Sequence, residues 1–130
     1  MNRPIAWCGD PWREEKDPGR WGAPAELTLP LDDRGLLLAD GLFETLLLEG
    51  GRLWCLAEHR ERWNRAAALL ELPPAPAAER LKALAAEAVE RSSMATGALR
   101  WSVSRGAGGR GLDPPKPGDP GTAPRLDRKS

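Results

Sequence analysis

Two largely apolar runs, Leu42–Leu48 and Arg52–Leu56, flank Glu49-Gly50-Gly51. Glycine tolerates positive φ at little cost, so Gly50-Gly51 suits the tight turn of a β-hairpin whose arms are buried strands. The period then changes from two to 3.6. Trp63, Ala66, Ala67 and Leu70 fall at i, i+3, i+4 and i+7, with Arg60, Glu61, Asn64 and Arg65 on other faces. Pro73-Pro74 ends that helix, because proline lacks an amide donor and restricts the residue before it. A second helix is expected from about Ala77, with Leu81, Leu84, Ala85, Ala88 and Val89 on one face and Ser92, Ser93 and Gly97 at its end. Ala98–Ser104 returns to period two, with Leu99, Trp101 and Val103 set against Arg100, Ser102 and Ser104. A strand after two helices must rejoin the hairpin. The order predicts an α+β fold: an antiparallel sheet with two helices on one face.

The flanks are weaker. Ile5–Cys8 reads as a short first strand and Asp10–Pro24, rich in proline, glycine and charge, as an irregular loop. Leu27, Leu29 and Leu31 alternate, but Pro30 limits that stretch to an edge strand at best. After Arg105 the glycines of Gly106–Gly111 give way to a proline-rich stretch without periodicity, Asp113–Ser130. Such a segment buries too little apolar surface to offset its ordering entropy. Residues 1–112 are therefore expected to form one small domain, and 113–130 a disordered tail.

Composition narrows the function. Lys plus Arg and Asp plus Glu each total 19, so the formal charge is zero and nothing marks a surface for nucleic acid or an anionic membrane. Cys8, Cys55 and the single His59 cannot supply the ligand cluster a metal site needs. The first ten residues lack the apolar core of a signal peptide, and the apolar runs are too short to span a bilayer. The expectation is a cytoplasmic protein with free thiols.

Three places hold residues fit for chemistry. His59-Arg60-Glu61-Arg62 reads either as a solvated charged turn or as an anion site. Arg62, three residues after His59 and four before Ala66, borders the apolar face, where a guanidinium offers a planar fork of donors to phosphate. Asp32-Asp33-Arg34-Gly35 and Ala39-Asp40-Gly41 suit turns. Glu44, within an apolar strand, needs a partner, for which Arg34 and Arg100 are the candidates. Ser104–Gly111 has neither the following helix of a dinucleotide fingerprint nor the Lys-Ser/Thr end of a nucleotide phosphate loop. It does set Arg105 and Arg110 beside bare backbone amides, a cradle for a carboxylate.

Taken in order, Asp33-Arg34-Gly35, Asp40-Gly41-Leu42-Phe43-Glu44-Thr45, Glu58-His59-Arg60-Glu61-Arg62 and Ser104-Arg105-Gly106 resemble the class IV (fold-type IV) aminotransferase family, over roughly residues 26–112. The resemblance implies a two-domain enzyme with pyridoxal 5'-phosphate (PLP) between its domains, a small-molecule substrate and a homodimer. Arg62, ending the His-x-x-Arg motif, is implied as the ligand of the cofactor phosphate. Arg110 is implied as a substrate-carboxylate ligand, and Arg105, from its place in the same loop, is the second substrate-binding candidate. The loop from Ser104 to Gly111 looks most like that of aminodeoxychorismate lyase, which forms 4-aminobenzoate and pyruvate. Leu112 stands where the D-amino-acid enzymes of the family carry a histidine. A branched-chain aminotransferase-like chain, or a non-catalytic remnant acting through binding alone, are the other readings. The family's lysine that holds the cofactor covalently lies in the second domain. None of Lys16, Lys82, Lys116 and Lys129 matches its position. No catalytic residue and no metal ligand is therefore expected in this chain. The abrupt change after Gly111 is the pattern expected of a truncated or frame-shifted product that is inactive by itself.

Overall fold

The computed structural model describes residues 3–12, 18–107 and 125–129, the last stretch by its backbone. The elements in order are β1 (Ala6–Gly9), β2 (Arg20–Gly22), a single 3-10 turn at Pro24–Glu26, α1 (Arg34–Leu38), β3 (Gly41–Glu49), β4 (Arg52–Leu53), α2 (Leu56–Leu70), α3 (Ala78–Ser92), β5 (Gly97–Ser104) and β6 (Arg125–Lys129). The strands make one antiparallel sheet in the order β2-β1-β6-β5-β3-β4. The α+β expectation holds.

The central ladder pairs β3 with β5 along its whole length, Glu44 opposite Trp101 and Leu46 opposite Leu99. Because strand side chains alternate, that register puts Glu44, Leu46 and Leu48 in one row with Leu99, Trp101 and Val103. All six are buried. Trp7 of β1, Trp63 and Ala67 of α2, and Leu81, Leu84 and Ala85 of α3 close over this row. At its centre the rings of Trp63 and Trp101 stack with centroids 4.4 Å apart. An offset aromatic pair of this kind contributes about 0.5–1.5 kcal/mol beyond its buried area. The opposite face of β3 is open, and Phe43 and Leu47 are exposed there.

The hairpin turn falls at Gly50-Gly51, both at positive φ, as their spacing predicts. The second arm is only two residues long, because Cys55 takes a left-handed conformation and the chain enters α2 at Leu56. α2 ends at Leu70, ahead of Pro73-Pro74, and α3 buries Leu81, Leu84, Ala85 and Ala88, with Val89 half-buried. Leu70, placed on the core face of α2 by its period, is instead exposed in the last turn.

Four expectations outside the central elements change. Within Asp10–Pro24, residues Arg20–Gly22 form β2 against β1, Trp21 opposite Trp7, because β1 offers them an unpaired backbone edge. Leu27–Leu31 forms no strand. Asp33-Arg34-Gly35 is more than a turn: the Asp33 carboxylate accepts from the Leu36 amide at 3.1 Å and caps the short helix α1. The tail expectation is corrected where the structure describes it. Arg125–Lys129 forms β6 between β1 and β5. Backbone pairing needs no apolar sequence, and two facing strand edges supply the partners that composition could not reveal. The expected boundary at residue 112 and the rest of the tail lie outside the described residues.

Candidate functional site

The hairpin hands the chain directly to α2, so the first two turns of that helix lie over β3. His59 and Arg62, one turn apart, both reach Glu44. The Arg62 Nε donates to Glu44 Oε1 at 2.8 Å, its Nη2 donates to Glu44 Oε2, and His59 Nδ1 lies 3.0 Å from the same Oε2. Glu44 is 6% exposed. The hydrogen bond from Arg62 holds its carboxyl below the ordinary 4.5, against the upward push of burial and with help from His59. The reciprocal bond raises the Arg62 guanidinium. Neither candidate partner for Glu44 is correct. Arg100 sits opposite Thr45, hence on the open face, where it stacks on the Phe43 ring at 4.4 Å, and Arg34 bonds Asp40.

Arg62 has a second side. Its side chain is 64% exposed, and Nη1 makes no bond with the described residues. An open cavity of about 450 Å3 lies beside it, lined by Leu42, Phe43, Glu44, Thr45, Arg62, Trp63 and Ala66. A guanidinium anchored along one edge, with the other edge free above a cavity, can take a phosphate end-on. The residues present therefore fit the anionic end of the cofactor that the sequence motif implies. Among the described residues no group of His, Cys, Asp or Glu could hold a metal ion. No helix there is long and apolar enough to cross a membrane.

Arg105 has another setting. It is 8% exposed and its Nε donates to Asp40 Oδ2 at 2.8 Å, while Nη1 and Nη2 donate to the carbonyls of Glu71 and Leu70 at the end of α2. Arg34 Nε shares the same Asp40 oxygen at 2.7 Å. Burial pushes the Asp40 carboxyl up, but the two arginine hydrogen bonds and charges outweigh it and hold it below the ordinary 3.8. Arg105, expected from the sequence to bind substrate, is placed here among acceptors of the chain itself. Its guanidinium donates inward, closes the C-terminal carbonyls of α2, and ties them to the start of β3.

A second set of contacts fixes the start of the glycine-rich loop. Ser104 Oγ donates to Asp33 Oδ2 at 2.7 Å and accepts from the amides of Gly35 and Gly106. The Arg34 amide donates to the Gly106 carbonyl at 2.9 Å. Position 35 must be glycine, because a Cβ there would stand 2.6 Å from Ser104 Oγ. Arg110 lies outside the described residues, beyond this anchored start. Sequence reading missed two roles, that of His59 beside Glu44 and that of Asp40 between two arginines. For His59 the i, i+3 spacing to Arg62 was the available signal, whereas Asp40 looked like any turn residue.

Residues 41–126 match the family described as amino-transferase class IV. The D-alanine aminotransferase of Staphylococcus aureus (strain N315) is 30% identical over 99 residues, 76% of this chain and 35% of that protein. A PLP-bound hypothetical aminotransferase from Mycobacterium tuberculosis superposes with a TM-score of 0.69 at 30% identity, covering 96% of this chain and 39% of that one. The 4-amino-4-deoxychorismate lyase of Pseudomonas aeruginosa gives a TM-score of 0.64 at 33% identity, covering 82% of this chain and 36% of its own. The chain belongs to the class IV aminotransferase family. It spans little more than a third of the length of the relatives it matches.

Proposed function

We propose that this chain forms the cofactor-phosphate side of a PLP site, with Arg62 as the ligand of the phosphate. The observation that carries the reading is an exposed Arg62 that lines a cavity, with Nη1 unbonded among the described residues while Glu44 holds its Nε edge. When bound, the cofactor supplies an electron sink for charge developing on an amino substrate. The chain's own contribution is binding and orientation. Arg62 donates to the phosphate, and the stacked Trp63 and Trp101 floor keeps the strand beneath rigid. Arg110 is proposed to hold the substrate carboxylate, on a loop whose start is anchored by Ser104 and Asp33.

The substrate reading we favour is 4-amino-4-deoxychorismate, giving 4-aminobenzoate and pyruvate. It rests on the Ser104–Gly111 loop pattern and on Leu112 in place of a histidine. D-amino-acid transamination is the second reading, favoured by the similarity to D-alanine aminotransferase. Either activity is proposed for an assembly that also supplies the attachment lysine, in a homodimer and in the cytoplasm. The chain by itself is expected to show neither turnover nor a borohydride-trapped adduct confined to one lysine. Single-site stoichiometric labelling with turnover would overturn that expectation.

The test of the site is a titration of the chain with PLP, followed by quenching of tryptophan fluorescence, since Trp63 lines the same cavity as Arg62. Arg62→Ala should weaken binding about tenfold or more, the loss expected for a charge-assisted contact. Unchanged affinity would remove Arg62 from the site.

A further inference from the structure

Glu44 occupies a position where an apolar side chain would pack more cheaply. It lies in the buried row of β3, opposite Trp101, with Leu46 and Leu48 following in the same row. Burying a carboxylate there needs compensation, and the compensation comes from two side chains of α2. The geometry of that compensation is asymmetric. Glu44 takes the Nε edge of Arg62, one N–H from Nε and one from Nη2, with His59 Nδ1 3.5 Å from the same Nη2, and leaves Nη1 without a bond among the described residues. His59 Nδ1 pins the oxygen that also accepts from Nη2, so the carboxylate itself is held from two points.

We infer that Glu44 is a positioning residue: it sets the direction of the Arg62 fork, with His59 fixing the carboxylate, and so converts a mobile surface cation into a directed phosphate donor. The inference rests on the reading of Arg62 as the phosphate ligand and adds what makes that arginine selective. An arginine side chain two-thirds exposed otherwise samples many rotamers, each pointing the fork elsewhere. Anchoring the Nε edge to a residue of the central ladder restricts the directions open to the rest of the fork, beside the cavity that Arg62 lines with Thr45 and Ala66.

Two effects of Glu44 oppose each other. Its charge lowers the attraction of the site for any anion, while its geometry aligns the donors. Solvent reaches Arg62, so the charge effect is screened, whereas hydrogen bonds depend steeply on angle. Alignment is expected to win.

The experiment compares pyridoxine 5'-phosphate with pyridoxine, neither of which carries an aldehyde to react with lysines. Affinities of the chain for both are read by tryptophan quenching, and the Arg62 Nε–H resonance is followed by NMR. The parent chain should prefer the phosphate ester, and Arg62→Ala should lose that preference. Glu44→Gln, which keeps shape but removes the second acceptor, should cut the preference about tenfold and expose the Nε–H to solvent exchange. Glu44→Asp should recover part of both. A parent with no phosphate preference would overturn the Arg62 reading and this inference together. A preference lost in Arg62→Ala but kept or increased in Glu44→Gln would overturn the inference alone. Equal weakening of both ligands in the Glu44 variants, with the ratio unchanged, would show a role in folding only and would also overturn it.

Discussion

Asp40 is the side chain shared by both buried arginines among the described residues. It accepts from Arg34 and Arg105, which are 2% and 8% exposed. Asp40→Ala would leave two buried guanidiniums without their shared carboxylate, at a cost of about 3–5 kcal/mol in urea denaturation. Arg100→Ala, which removes an exposed contact over Phe43 and an exposed hydrogen bond to Ser102, should cost less than about 1 kcal/mol. The same carboxylate predicts a pH dependence, shared with Glu44. Both are held below their ordinary values of 3.8 and 4.5 in the fold. Their stabilisation is therefore complete above those values and is lost as pH falls through the folded ones. The denaturation midpoint should stay level near neutrality and drop once the pH passes below about 4.5, with the Asp40→Ala variant dropping less steeply. A midpoint that holds to pH 3 would mean that neither carboxylate carries its native partners.

Among the elements, those with strong periods were legible: the hairpin at Gly50-Gly51, both long helices, and the alternation of β5. The core-facing helix positions followed from the same periods, apart from Leu70, whereas the hairpin arms were expected to be buried and instead expose Phe43, Leu47 and Trp54. What composition could not show was pairing. Arg20–Gly22 and Arg125–Lys129 have little strand character, yet each joins the sheet because a neighbouring backbone edge lacks a partner. The candidate site followed the same division. The place of Arg62 at the border of the apolar face of α2 was legible from helix spacing, because that spacing is local. The partner of Glu44 was not, because choosing among His59, Arg62, Arg34 and Arg100 requires the register of β3 on β5 and the seating of α2, which are tertiary facts. The inward partners of Arg105 were not legible for the same reason, the carbonyls at the end of α2 being 34 and 35 residues away. The least local element gives the sharpest test. Deleting residues 125–130 removes the strand between β1 and β5, so hydrogen exchange at amides along both strands should accelerate and the thermal midpoint should fall. Exchange unchanged by the deletion would show that β6 contributes no pairing in solution.

At the scale of the whole molecule the surface, rather than the core, decides behaviour. Of the six tryptophans only Trp54 is exposed, while Trp7, Trp63 and Trp101 are fully buried and Trp12 and Trp21 half-buried, so the indoles mainly build the core. The uncovered apolar surface includes the side chains of Phe43 and Leu47 on the open face of β3 and of Leu36 and Leu37 on α1. Apolar patches beyond a few hundred Å2 favour association. Covering about 400 Å2 of it would contribute on the order of 10 kcal/mol at about 25 cal/mol per Å2. Association itself costs about 4–15 kcal/mol in lost freedom. The two nearly cancel, which predicts weak, concentration-dependent self-association rather than a permanent oligomer. Sedimentation velocity over a hundredfold range of concentration should show the average mass rising with concentration. Phe43→Glu combined with Leu47→Lys should abolish the rise without unfolding the chain, because neither side chain belongs to the buried row. A monomer at every concentration, with the double variant indistinguishable from it, would show that this face is solvated without any partner.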